Sequence, residues 1–268
     1  MVWRDDDLAD FDARRCTFEG KEKTVYVSGS GPAVLVMAEM PGVGPQVIRF
    51  ARWVRDAGLT VYLPSLFGRD GAVPDAEEAA TIFRAACISA EFRALGGGQS
   101  SPVANWLRAL AREAHHECGG RGVGAIGMCF TGNFAVTLLL EPSVIAAVLA
   151  QPALPLDNPA GIEASAQELE AVRQRIERDD IEIPAYRFAG DHFCRAERFA
   201  AYAEALGPHF KPHVLADDSA NSDVPPFTAN FVPTPHSVFT AHLIDAAGEP
   251  TAAARDAVVA YFRDRLLG

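Results

Sequence analysis

The sequence is short of several features that would each have marked a class of protein. No run of 18 consecutive apolar residues occurs, and a membrane-spanning helix needs one. Positive charge is in deficit: 24 lysines and arginines face 35 aspartates and glutamates, a formal net charge of −11. That balance disfavours nucleic acid or an anionic membrane surface as the main partner. The five cysteines, at positions 16, 87, 118, 129 and 194, are odd in number and include no CxxC pair, which argues against a disulfide framework or a zinc site. The opening residues Met1 to Asp7 are acidic, without the basic and apolar stretches of a secretory leader. Internal repeats and low-complexity linkers are also missing. The expectation is a cytoplasmic protein, monomer or homodimer, with no metal or organic cofactor.

What is present is material for one large core. Of 268 residues, 49% are apolar, enough for a single domain spanning 1–268. Residues 15–18 and 23–27 read as a hairpin around Glu19-Gly20-Lys21. Ala33 to Ala38 is an unbroken apolar run, suited to a strand buried on both faces of a parallel sheet. Gln46 to Ala57 has helical spacing, with Gly58 where a helix stops, and Leu59 to Leu63 is the next strand. A helical insertion follows over about 72–118; its second part starts at Ser101-Pro102, a cap followed by proline at the first helical position. Gly122–Gly127, Val144–Leu149 and Ile183–Ala189 are further strands, 133–140 and 163–179 are helices, 216–235 reads as a long loop, and 251–267 is a closing helix. Strand and helix alternate after an antiparallel hairpin, so the expected fold is α/β with a doubly wound, mainly parallel sheet. Reactive groups in such folds gather beyond the carboxyl ends of the strands.

Three positions there carry chemistry. Gly127-Met128-Cys129-Phe130-Thr131-Gly132 takes a strand through a tight turn into a helix, which lifts the Cys129 side chain above the sheet at a helix start. Helix-end amides favour a thiolate, and the amide of Phe130 can donate to an oxyanion. The competing reading is a buried structural cysteine. Thr131 stands where a nucleophile elbow usually has glycine. Asp191 closes Phe188-Ala189-Gly190-Asp191, an acid at a strand end able to orient a histidine; a turn-forming aspartate is the alternative. His236, before the last helix, completes a nucleophile–acid–base order. His192 is a rival base, His242 reads as packing or surface, and His115-His116 as a solvated helix end.

Four segments together resemble the dienelactone hydrolase family, the cysteine branch of the α/β-hydrolases: Met37-Ala38-Glu39-Met40-Pro41-Gly42, Gly127 to Gly132, Ala189-Gly190-Asp191-His192-Phe193 and His236-Ser237-Val238-Phe239. The resemblance spans roughly residues 12–267. It implies an α/β-hydrolase fold, with helices on both faces of the sheet. It also implies Cys129 as nucleophile, His236 as base, Asp191 as orienting acid, and amides of Phe130 and Met40 as oxyanion donors. Glu39 would contact the resting thiol and help form the thiolate. The substrate would be a small ester or lactone. Dienelactone-specific members carry an arginine four residues after the histidine, and Thr240 occupies that place here. Arg84 and Arg93 in the insertion are candidate anion partners. A thioesterase, or a redox-responsive thiol protein with Cys194 as resolving cysteine, are the alternatives.

Overall fold

Each apolar run lies where sheet packing can use it. The computed structural model describes residues 3–92 and 100–268; Arg93 and the Gly96-Gly97-Gly98 break lie outside them. Strand β3 (Ala33–Met37) is buried at every residue. Its alternate side chains serve two cores: Ala33, Leu35 and Met37 enter one, and Val34 and Val36 the other. A strand covered on both faces must be apolar throughout, and this one is.

Eight strands form one sheet in the order β1-β2-β4-β3-β5-β6-β7-β8. β1 (Asp12–Phe18) and β2 (Lys21–Gly29) make the expected hairpin, turning through Glu19 and Gly20, both at positive φ. β2 runs antiparallel to β4 (Thr60–Pro64). From β4 onward the neighbours β3, β5 (Val123–Met128), β6 (Val144–Ala150), β7 (Ile183–Phe188) and β8 (Phe210–Leu215) are parallel.

Helices cover both faces. α1 (Pro45–Asp56) and the closing helix, Pro250–Leu267, put Val47, Phe50, Val54, Val258 and Phe262 into one core. On the other face, α2 (Ala76–Ile88) and α3 (Pro102–Cys118) fill the stretch between β4 and β5. Ser101 caps α3 as expected, its hydroxyl accepting from the Ala104 N–H. α4 (Phe134–Leu138) follows the Cys129 turn, and α5 (Ala166–Asp179) opens with a Ser165–Glu168 capping box.

Three elements were not apparent from the sequence pattern. α6 (Ala196–Leu206) and edge strand β8 complete the far end of the sheet. Within the expected 216–235 loop, α7 (Pro226–Phe231) forms and packs against α2. The closing helix is therefore α8. No helix among the described residues is long and apolar enough to cross a membrane.

Candidate active site

The turn after β5 holds Cys129 at φ 53°, a left-handed conformation that a β-carbon disfavours. Such strain persists only where neighbours enforce it, and here they are identifiable. A β-carbon on Gly127 would lie 2.2 Å from the Thr131 carbonyl oxygen, and one on Gly132 would lie 2.6 Å from Pro152 Cα. Only glycine fits at either place. The Ala153 N–H donates to the Cys129 carbonyl at 2.9 Å. Thr131, the departure from the usual pattern, supplies a clamp of its own. Its buried Oγ1 accepts from the Met128 N–H at 3.0 Å and lies 3.0 Å from the Met37 carbonyl and 3.1 Å from that of Ala38. The hydroxyl thereby ties the elbow to the end of β3.

The turn after β7 presents Asp191, 3% exposed. Its Oδ1 accepts from the backbone N–H groups of Phe193 (2.9 Å) and Cys194 (3.0 Å), which leaves Oδ2 for His236 Nδ1 at 2.7 Å. One carboxyl oxygen thus builds the turn while the other is hydrogen-bonded to the imidazole. Buried Arg187 fastens the same turn, its Nη1 donating to the carbonyls of Phe188, Ala189 and Cys194. The neighbouring rival, His192, is exposed, and its N–H donates to Thr234 Oγ1 at 2.9 Å.

His236 is 2% exposed. Its Nε2 is buried without a well-formed hydrogen bond, and Cys129 is close enough to act on its protonation. Burial opposes the imidazolium, but the Asp191 carboxylate and the Cys129 sulfur outweigh it and raise the pKa well above the ordinary histidine value.

His242, read from the sequence as packing or surface, is buried and has a positioning task. Its Nδ1 accepts from the backbone N–H groups of His236 (3.3 Å) and Ser237 (3.1 Å). It must be neutral at that nitrogen to accept. Burial and the adjacent His236 push its pKa down to about 4. The sequence signal for this role is weak: a histidine six positions along in an apolar stretch.

Glu39 lies just past β3, 6% exposed. Thr240 Oγ1 donates to its Oε1, and Gln151 Nε2 donates to its Oε2 at 3.1 Å. Burial pushes its carboxyl above the usual carboxylate range, although the bonds from Thr240 and Gln151 and the nearby His236 pull the other way. Thr240, in the position where an arginine would bind a substrate anion, is therefore spent on Glu39. Gln151 is fully buried at φ 34° and also accepts from the Val238 N–H at 3.4 Å, linking Glu39 to the His236 segment.

Glu39, Met40, Cys129, His236 and Ser237 line one cavity of about 290 Å³. α2 and α7 form its other side, with Arg84 from α2 at the edge. Phe130 directly follows Cys129 in a single 3₁₀ turn, Cys129–Thr131. Cys194 is completely buried, and burial raises its thiol well above the normal range, so it makes a poor resolving cysteine. His115 and His116 sit in the last turn of α3, and no group of three or more metal-ligating side chains occurs among the described residues.

Solved structures share this architecture. A dienelactone hydrolase-like promiscuous phosphotriesterase from metagenomic libraries is 19% identical, covers 96% of this chain and 100% of its own, and superposes with a TM-score of 0.62. A protein described as a putative dienelactone hydrolase from Klebsiella pneumoniae is 16% identical (94% and 98% covered, TM-score 0.58). A cold-adapted esterase from an Arctic intertidal metagenomic library is 14% identical (99% and 100% covered, TM-score 0.56). At these identities the likeness is one of fold. No curated protein sequence matches the chain. Residues 22–215, most of the chain, match the dienelactone hydrolase family, and the protein belongs to that family.

Proposed function

We propose that the protein hydrolyses a small carboxylic ester or lactone by acyl transfer through Cys129. Family membership supports ester hydrolysis in general. The observation that carries the finer reading is the pair Asp191 Oδ2 and His236 Nδ1, 2.7 Å apart, with His236 and Cys129 lining the same cavity.

His236 Nε2 takes the thiol proton, and the sulfur adds to the ester carbonyl carbon. The resulting oxyanion receives the N–H groups of Phe130 and Met40. As the C–O bond breaks, His236 returns the proton to the leaving oxygen. His236 then removes a proton from water, the hydroxide adds to the thioester, and the C–S bond breaks to release the acid. Asp191 holds the imidazole in the tautomer that this sequence needs and stabilises its charged form. Glu39, held by Thr240 and Gln151, is assigned to thiolate formation when substrate arrives. The odd cysteine count and the lack of a CxxC pair support a reducing, cytoplasmic setting.

The test is hydrolysis of short p-nitrophenyl esters and an enol-lactone. The wild type turns over, and Cys129→Ala loses at least about 10³-fold in kcat. A wild type inert on every substrate, or a Cys129→Ala variant as active as the parent, would overturn the proposal.

A further inference from the structure

The cavity above Cys129 is polar mainly on one side. Its polar groups sit at the strand ends and are engaged with one another: Glu39 with Thr240 and Gln151, His236 with Asp191. The remaining wall is hydrocarbon from Met40, Phe83, Phe193, Phe227, Phe231 and Val232, apart from Arg84 at its edge. Phe227 and Phe231 stack at 5.3 Å along one side of α7. Phe231 remains 41% exposed, an unusual condition for a phenylalanine beside a cavity that it lines. Thr240, by contrast, is 1% exposed and is not part of the lining, so the substrate meets no cation there. Arg84 is solvent-exposed, its Nη2 donating to Thr81 Oγ1 at 3.4 Å.

We infer that the acyl group of the substrate is apolar and of medium size, an aliphatic or arylacetyl group of several carbons, held under α7. This rests on the acyl-transfer reading above and adds the substrate class to it. Size follows from volume: about 290 Å³ lies at the lower end of small-ligand pockets, room for an acyl group of several carbons. Placement of the acyl half follows from the order of the two steps. The alcohol departs after the first step, whereas the acyl group stays on sulfur until water has attacked. A cavity whose walls are continuous with the nucleophile favours the half that stays. The exposed face of Phe231 then gains cover from the bound chain.

The test is a p-nitrophenyl series with one leaving group and varied acyl group: acetate, butyrate, hexanoate, phenylacetate and hemisuccinate. Each kcat/KM is divided by the uncatalysed rate. The expected result is a rise of about fourfold per added methylene from acetate to hexanoate, with phenylacetate also favoured and hemisuccinate not. Phe231→Ala, at a partly exposed position, lowers the hexanoate-to-acetate ratio by about tenfold. A flat series, a preference for the anionic hemisuccinate, or an unchanged ratio in Phe231→Ala overturns the inference while leaving acyl transfer intact. Failure to cleave any of these esters sinks the acyl-transfer reading, and the substrate class with it.

Discussion

The two sides of the cavity are built on different principles. The floor consists of strand ends: the elbow after β5, the Asp191 turn after β7 and Glu39 after β3. Its polar atoms are buried and joined in a network. Thr131 ties β5 to β3, Gln151 ties Glu39 to the His236 segment, and His242 holds the backbone of His236 itself. The roof consists of α2 and the short α7, apolar toward the cavity except for Arg84 at its edge, and partly open to water. A floor of this kind fixes atoms to fractions of an ångström, and any missing member leaves a buried group unpaired. A roof of apolar contacts tolerates change and alters mainly what fits. Damage to the floor should therefore fall on kcat and stability, and damage to the roof on selectivity.

Asp191→Asn should break the floor most severely. The turn-forming role of Oδ1 survives, but the amide can place a donor toward His236 Nδ1 and reverse its tautomer. The expected loss in kcat is about 10³- to 10⁴-fold with little change in KM, read from steady-state kinetics. A loss confined to KM would show that Asp191 serves the roof instead.

His242 sharpens the comparison through pH. Its folded-state pKa is about 4, against an ordinary histidine value near 6.5. Between these values the unfolded chain binds more protons, so stability falls as pH drops from about 6.5 to 4. The full contribution is about 3 kcal/mol. Urea unfolding at pH 7 and pH 4.5 measures it, with His242→Gln as the reference that lacks this slope. The reference is needed because Glu39, whose pKa is raised, works in the opposite sense in the same range. An identical pH slope in both proteins would remove His242 from the floor. Thr131→Val keeps the volume but removes the hydroxyl, leaving the buried Met128 N–H without its acceptor. It should cost about 1–3 kcal/mol in urea unfolding, and alkylation of Cys129 should slow as the elbow loosens.

The same division explains what was legible in the sequence. Ala33 to Ala38 announced a fully buried strand because both of its faces meet core. Asp191 and Cys129 stood out because each ends an apolar run at a turn. β8 did not, because it is an edge strand carrying Lys211, Pro212 and an exposed Val214, with no buried alternation to read. α7 is six residues long inside a proline-rich stretch, too short to show a helical period. It takes its definition from packing against α2. His242, Gln151 and Arg187 are backbone-holding and bridging residues, and such tasks depend on neighbours distant in sequence. Thr131 was visible as an exception. That it replaces a glycine with a hydroxyl clamp became clear only once the end of β3 was seen beside it.

The sheet is finished at Leu215, and His236 comes after it. During synthesis, therefore, Cys129 and Asp191 are laid down by the time the last strand is made, while His236 is still to come. α8 comes later again, and its Val258 and Phe262 close the core against β5 and β6. Chains fold largely from the N-terminal end as they emerge. The order of the sequence thus delays the arrival of His236 until the framework around Cys129 exists. A partly made chain holds the Cys129 thiol without His236; on the acyl-transfer proposal, reactivity would arrive together with the segment that seals the fold.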